Sequence, residues 1–274
     1  MTNHKPAVMV AGGFDDIRSR QVRLLHVASG VGSVHVLLWD DATVERLSGR
    51  PPKFPQAERL YYTKAIRFVE QVHLVNVRAE GNLPAVADVK PQYWVTDCRL
   101  PVAGADESCR KRQIKHLVLT DDDVAGFPEI PPAETSGLRK KVVVTGCFDW
   151  FHSGHVRFLE EVSELGDVYA IVGHDENLRL LKGPGRPMFR QEERRYMIAA
   201  VRYVKEALIS TGHGWMDAEP EVLRIRPDIY AVNEDGDHPD KQRFCERHGI
   251  EYRVLRRLPR PGLDRRTSTD LRGF

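Results

Sequence analysis

Short apolar runs alternate with amphipathic stretches along this chain, and the alternation is clearest in its second half. Residues 141–145, 168–172, 207–210, 229–232 and 252–255 are compact apolar runs that read as strands. Between them, 154–164, 191–204, 220–225 and 241–248 carry helical patterns. Such an order predicts a parallel sheet wrapped by helices, an α/β fold of the Rossmann-like kind. Ligands of such sheets sit outside the carboxyl ends of the strands, so the residues just after each strand carry the functional interest.

The pattern occurs twice. Gly12-Gly13-Phe14-Asp15 overlies Gly146-Cys147-Phe148-Asp149 at a separation of 134 residues. Further on, Ile66-Arg67-Phe68-Val69 overlies Val201-Arg202-Tyr203-Val204 at 135, and Cys109 overlies Cys245 at 136. So small a drift indicates duplication with minor loop changes. The expectation is two tandem domains, 1–120 and 141–274, packed as an intrachain pseudo-dimer and joined by a linker over 121–140. The linker holds Asp121-Asp122-Asp123 with Pro128, Pro131 and Pro132; the triple Asp is read as a solvated tether rather than a metal site.

Composition narrows the function classes. Lys+Arg 41 against Asp+Glu 39 gives a formal charge of +2, so no global field draws the chain to nucleic acid or to a membrane surface. No stretch approaches the ~18 apolar residues that span a bilayer. The chain opens directly into a strand-like run, so no signal peptide and a cytoplasmic location are expected. Cys98, Cys109, Cys147 and Cys245 form no C-x-x-C pair and read as reduced thiols.

Chemistry concentrates after the strand Val142-Val143-Val144-Thr145. There a Gly turn leads to His152 and His155, three residues apart at the start of a helix. Two imidazoles beside free helix N–H groups form a site suited to phosphate. A zinc reading of the two histidines lacks a third ligand cluster, so no protein-held metal is expected. Cys147 reads as packing rather than a nucleophile.

The run G-x-F-D-x-x-H-x-G-H over 146–155 resembles the signature of the cytidylyltransferase-like nucleotidyltransferases. The run Arg265-Arg266-Thr267-Ser268-Thr269-Asp270-Leu271-Arg272 resembles that family's closing phosphate motif. The resemblance implies attack of an acceptor phosphate oxygen on the α-phosphorus of a nucleoside triphosphate, with pyrophosphate leaving and Mg²⁺ accompanying the nucleotide. On this reading His152, His155 and Lys182 are catalytic. Gly146, Cys147, Phe148, Asp149, Gly154, Asn233, Arg266, Thr267, Ser268 and Thr269 bind the nucleotide. Lys182, in a Gly/Pro-rich segment that reads as a mobile loop, also approaches the acceptor. Arg194 faces the acceptor phosphate, and Trp215 stacks on acceptor or base or covers a sheet edge.

The tandem layout is similar to ethanolamine-phosphate cytidylyltransferase, and the second copy looks like glycerol-3-phosphate cytidylyltransferase and the heptose-phosphate adenylyltransferases. The expected reaction is therefore CMP transfer from CTP to a small phosphorylated or phosphonylated alcohol. The alternative is AMP transfer from ATP to a sugar phosphate or flavin precursor, and a non-catalytic nucleotide sensor or scaffold is the alternative of another class. An aminoacyl-tRNA synthetase is disfavoured, since no tRNA-binding basic region is evident. The first copy places Arg18, Arg20 and Gln21 where the second has His152, Gly154 and His155, and Ser48 near the position of Lys182. Its closing motif degrades to Glu134-Thr135-Ser136-Gly137-Leu138, so a structural, non-catalytic role is expected for it. A homodimer of the whole chain is left open.

Overall fold

A computed structural model describes residues 5–77, 84–87, 89–100, 102, 104–134 and 137–271. Thr135, Ser136, Arg272 and the side chain of Thr269 lie outside the described residues. Two compact units divide the chain, Met1–Gly126 and Phe127–Phe274.

In the first unit β1 (Ala7–Gly12), α1 (Ser19–Val31), β2 (Ser33–Trp39), α2 (Asp41–Ser48), α3 (Gln56–Lys64), β3 (Gln71–Val75), β4 (Pro91–Asp97), α4 (Ala105–Lys111) and β5 (Lys115–Leu119) follow one another. The second unit has β6 (Lys141–Gly146), α5 (Ser153–Leu165), β7 (Asp167–Val172), α6 (Asp175–Lys182), α7 (Gln191–Ala199), β8 (Val204–Ile209), α8 (Glu219–Ile225), β9 (Ile229–Asn233), α9 (Pro239–His248), β10 (Glu251–Leu255) and α10 (Ser268–Leu271).

Each unit is a five-stranded parallel sheet. The orders are β3-β2-β1-β4-β5 and β10-β9-β6-β7-β8, which are the same order read from opposite edges. The register repeats as well: Ala7 opposite Ser33 recurs as Lys141 opposite Asp167, and Val8 opposite Tyr93 as Val142 opposite Ile229. Two Rossmann-like α/β sheets in tandem are thus present, as the alternation predicts. The central strands are buried on both faces, Val142, Val143 and Val144 in β6 and Val8, Met9 and Val10 in β1, which is why they read as continuous apolar runs.

Three features differ from the sequence reading. No helix is predicted over 175–182, and Lys182 is read as part of a mobile loop; α6 is eight residues long and strongly charged, ends at Lys182, and is capped by His174 through a bond accepted from the Asn177 N–H at 3.3 Å. Helix α7 stops at Ala199, because the turn 200–203 leads straight into β8. The acidic run is not wholly a solvated tether: Asp121 receives Arg20 at 2.8 Å and Arg99 at 2.7 Å, and Asp123 accepts from the Thr120 N–H at 2.7 Å. Beyond it the chain lies along the second unit, where Arg195 meets Glu129 at 2.6 Å and the Ala133 N–H donates to the Lys205 carbonyl at 3.0 Å. Among the described residues no helix is long and apolar enough to cross a membrane.

Candidate functional site

The site is built where β6 ends. Phe148 adopts a left-handed φ of +50°, a conformation that costs an L-residue roughly 1–2 kcal/mol. Its ring folds back under Gly146, where an added Cβ would lie 2.8 Å from the ring, so only glycine fits there. Asp149 then fastens a later segment to this turn: its Oδ1 accepts from the backbone N–H groups of Met188 at 2.7 Å and Phe189 at 3.1 Å. That oxygen ties down the segment after α6, and Asp149 also borders the cavity beside this turn.

His152 is the N-cap of α5, and its Nδ1 accepts from the Gly154 N–H at 3.0 Å. An Nδ1 that accepts leaves the proton of a neutral imidazole on Nε2. Burial above all, then Arg257 and Arg266, pushes the His152 pKa down to about 3, so the neutral ring is the stable form. His155 stacks on it with ring centroids 3.9 Å apart and is likewise driven well below the ordinary histidine value, by burial first and then by His152, Arg257 and Lys182. Nε2 of His152 and Nδ1 of His155 are buried with no hydrogen-bond partner within the protein. Polar atoms left that way cost free energy unless a ligand or water completes them.

A cavity of about 370 Å³ opens beside the pair. The turn 145–149, His155, Lys182, Trp215, Asn233, Thr267 and Ser268 all border it, so most of the residues expected at the site do converge. Arg266 lines an adjoining cleft that shares Phe158, Asn233 and Arg257 with the cavity, and its guanidinium meets Asp264 at 3.3 Å. Gly154 is closely packed within the fold. A Cβ there would sit 2.9 Å from the His152 ring and 3.3 Å from the Arg266 carbonyl, so glycine makes room for the protein's own closing segment. Lys182 is exposed at the C-terminal end of α6, a favourable place for a cation.

Arg194 does not reach the cavity. It is 1% exposed, and its guanidinium donates to the carbonyls of Phe189 (2.9 Å), Cys147 (2.6 Å) and Gly173 (2.7 Å) and to Asp175 (2.7 Å). It is a clamp within the unit, and the acceptor role expected of it fails because its donors are spent on backbone carbonyls and Asp175. The Cys147 thiol is pushed up by burial, as suits a packing residue rather than a nucleophile.

Arg257, Asp217 and Lys241 are charged residues bordering the cavity that escaped the sequence reading. Arg257 contacts Asp235 and donates to the Arg266 carbonyl at 3.3 Å, joining the segments that follow β9 and β10. Its signal was positional, two residues beyond β10 at the carboxyl edge of the sheet. Asp217 accepts from the Ser210 hydroxyl at 2.7 Å. Lys241 is largely buried and donates to the Gly236 carbonyl at 3.0 Å; burial pulls its pKa down against the opposing pull of Asp217, Asp237 and Asp235. Among the described residues no three His, Cys, Asp or Glu side chains gather into a metal-binding group.

Residues 143–235 match the family described as cytidylyltransferase-like. The chain is 41% identical over 128 residues to an FAD synthase of Thermococcus kodakarensis, spanning 43% of this chain and 80% of that protein. It is 37% identical over 121 residues to an FAD synthase of Ferroglobus placidus, spanning 43% of this chain and 75% of that protein. A bifunctional protein HldE of Desulfatibacillum aliphaticivorans is 37% identical over 92 residues, spanning 33% of this chain and 18% of that protein.

Proposed function

The chain belongs to the cytidylyltransferase-like nucleotidyltransferases, and on that premise we propose that its second unit joins the AMP moiety of ATP to the phosphate of flavin mononucleotide. The similarity to FAD synthases carries this choice, because making FAD by nucleotidyl transfer requires adenylyl as the group moved and a flavin phosphate as acceptor. It favours the adenylyl alternative of the sequence reading over the cytidylyl reaction.

An acceptor phosphate oxygen attacks the α-phosphorus; the bond to the β-bridging oxygen breaks, and pyrophosphate leaves with that electron pair. No protein nucleophile is needed, so the protein's task is to position the reactants and to stabilise accumulating negative charge. The Nε2–H of His152 and the unpartnered nitrogen of His155 supply imidazole groups at the end of β6. A bound polyphosphate completes these orphaned atoms and raises both imidazole pKa values toward the protonated form. Lys182 approaches the α-phosphate or the acceptor phosphate from α6. Arg257, Thr267 and Ser268 hold the trailing phosphates, and Arg266 assists from the adjoining cleft. Mg²⁺ enters with the triphosphate as part of the substrate, since Asp235 is engaged by Arg257 and Asp217 by Ser210. The first unit serves as a structural partner.

The test is FAD formation from FMN and ATP with Mg²⁺, followed by chromatography and by pyrophosphate release, with CTP in parallel. FAD and pyrophosphate in equal amounts with ATP alone is the expected result. Turnover with CTP and a small phosphorylated alcohol, with none from ATP and FMN, would return the chain to the cytidylyl reaction.

A further inference from the structure

One large aromatic side chain borders the cavity and remains open to solvent. Trp215 is 54% exposed, and among the described residues it is the single aromatic on a surface whose other large exposed apolar side chains are aliphatic or Met. A lone exposed hydrophobe needs no explanation by itself. What sets Trp215 apart is how firmly it is held.

Its inner face stacks on the His238 ring, with centroids 4.6 Å apart and planes 12° from parallel. His238 is itself fixed as the N-cap of α9, its Nδ1 accepting from the Asp240 N–H at 3.2 Å. The short turn Gly214–Met216 that carries the indole is pinned by Asn177, which is 1% exposed. Asn177 Oδ1 accepts from the Gly214 N–H at 2.7 Å, and its Nδ2 donates to the Gly214 carbonyl at 3.1 Å. Asn177 sits on α6, the same helix that ends in Lys182 and sends Leu178 and Leu181 to the cavity wall. A flat apolar surface and a phosphate-seeking cation are therefore anchored to one rigid element.

That pairing is complementary to a molecule carrying both a phosphate and a planar ring system. A sugar phosphate satisfies the lysine but has no extended planar ring system to match the indole face. We infer that the free face of Trp215 is the platform on which the acceptor's isoalloxazine ring rests, so that Trp215 is the residue selecting a flavin phosphate over a sugar phosphate. This inference rests on the flavin reading above.

The test uses the 274-residue chain as wild type, Trp215→Ala and Trp215→Phe. Because the indole is exposed, neither substitution removes core packing. Losing an aromatic stacking partner is expected to raise the KM for FMN ~10- to 100-fold in Trp215→Ala, with the KM for ATP within about twofold of wild type. Trp215→Phe recovers most of the loss. Independently of turnover, FMN fluorescence is quenched on binding to the wild type with a non-transferring ATP analogue, and the quenching disappears in Trp215→Ala. If Trp215→Ala keeps both the FMN KM and the quenching, or if the ATP KM rises instead, the platform is overturned while wild-type FAD formation leaves the flavin reading standing. A wild type that forms no FAD overturns the flavin reading and the platform with it.

Discussion

The two units place different side chains at the same point of the same fold. In the second, Gly154 leaves room for the closing segment, Asn233 ends the fourth strand of the sheet, and Arg257 follows the fifth. In the first, the equivalent positions hold Arg20, Asp97 and Asp121. Arg20 forks onto Asp97 at 2.5 and 2.6 Å and reaches Asp121 at 2.8 Å, so the site's charges neutralise one another. Elsewhere the units agree closely. Arg59 is fully buried and donates to Phe54, Gly13, Trp39 and Asp41, position for position what Arg194 does with Phe189, Cys147, Gly173 and Asp175. Phe14 has a φ of +47° where Phe148 has +50°, and Asp15 accepts from the Lys53 and Phe54 N–H groups as Asp149 does from Met188 and Phe189. A feature kept in both units belongs to the scaffold. A feature confined to the second belongs to the chemistry.

This contrast orders the expected effects. The largest falls on the shared clamp. Arg59→Met and Arg194→Met each strand several backbone carbonyls and a carboxylate, and each should cost ~3–5 kcal/mol in its own unit by urea unfolding. If Arg194→Met instead kept full stability and changed only the KM of an acceptor, the clamp assignment would be wrong.

Next comes the histidine pair. His155→Ala should lower turnover ~10²- to 10³-fold, as loss of one transition-state donor does, while Gln21→Ala at the equivalent point of the first unit leaves it unchanged. Equal losses from both substitutions would abolish the division of labour.

A smaller effect is expected at Arg20. Its hydrogen bonds hold the Asp97 carboxyl below the usual range. Arg20 is partly solvated, so after discounting for screening, Arg20→Ala should destabilise the first unit by about 1 kcal/mol with no change in turnover. A gain of nucleotide transfer in that variant would show the first unit to be a masked enzyme.

A last effect is read as a slope against pH. His152 and His155 stay neutral in the fold while histidines of the unfolded chain protonate near pH 6.5. The unfolded state then binds more protons, so stability is lost as pH falls below about 6.5 and is fully present above it, at up to ~1.4 kcal/mol per pH unit for each ring. His152→Asn with His155→Asn should flatten the thermal-shift curve between pH 6.5 and 5. An unaltered slope would mean the rings are protonated in the fold.

Much of the fold was legible because it is written in periodicity. The buried valines of β6 and the repeat at 134–136 residues announce two parallel sheets before any coordinate is known. The site was legible in part for a related reason: β6, the Gly turn and the His152 cap are consecutive, so a local motif contains them. What escaped depends on contacts distant in sequence. Arg194 lies 47 residues from the Cys147 carbonyl it grips, and no local pattern separates a buried clamp from an exposed ligand for phosphate. Arg257, Asp217 and Lys241 reach the cavity only through strand order. Helix α6 was hidden because its charged turn resembles a loop, and its cap, His174, is a residue that seldom signals one.

The most direct measurement is a side-by-side assay of wild type and His155→Ala with ATP, FMN and Mg²⁺, reading FAD and pyrophosphate together. Stoichiometric FAD and pyrophosphate from the wild type, falling at least ~10²-fold in the variant, is the predicted result. Undiminished FAD formation by His155→Ala would contradict a reaction run by the histidine pair of the second unit.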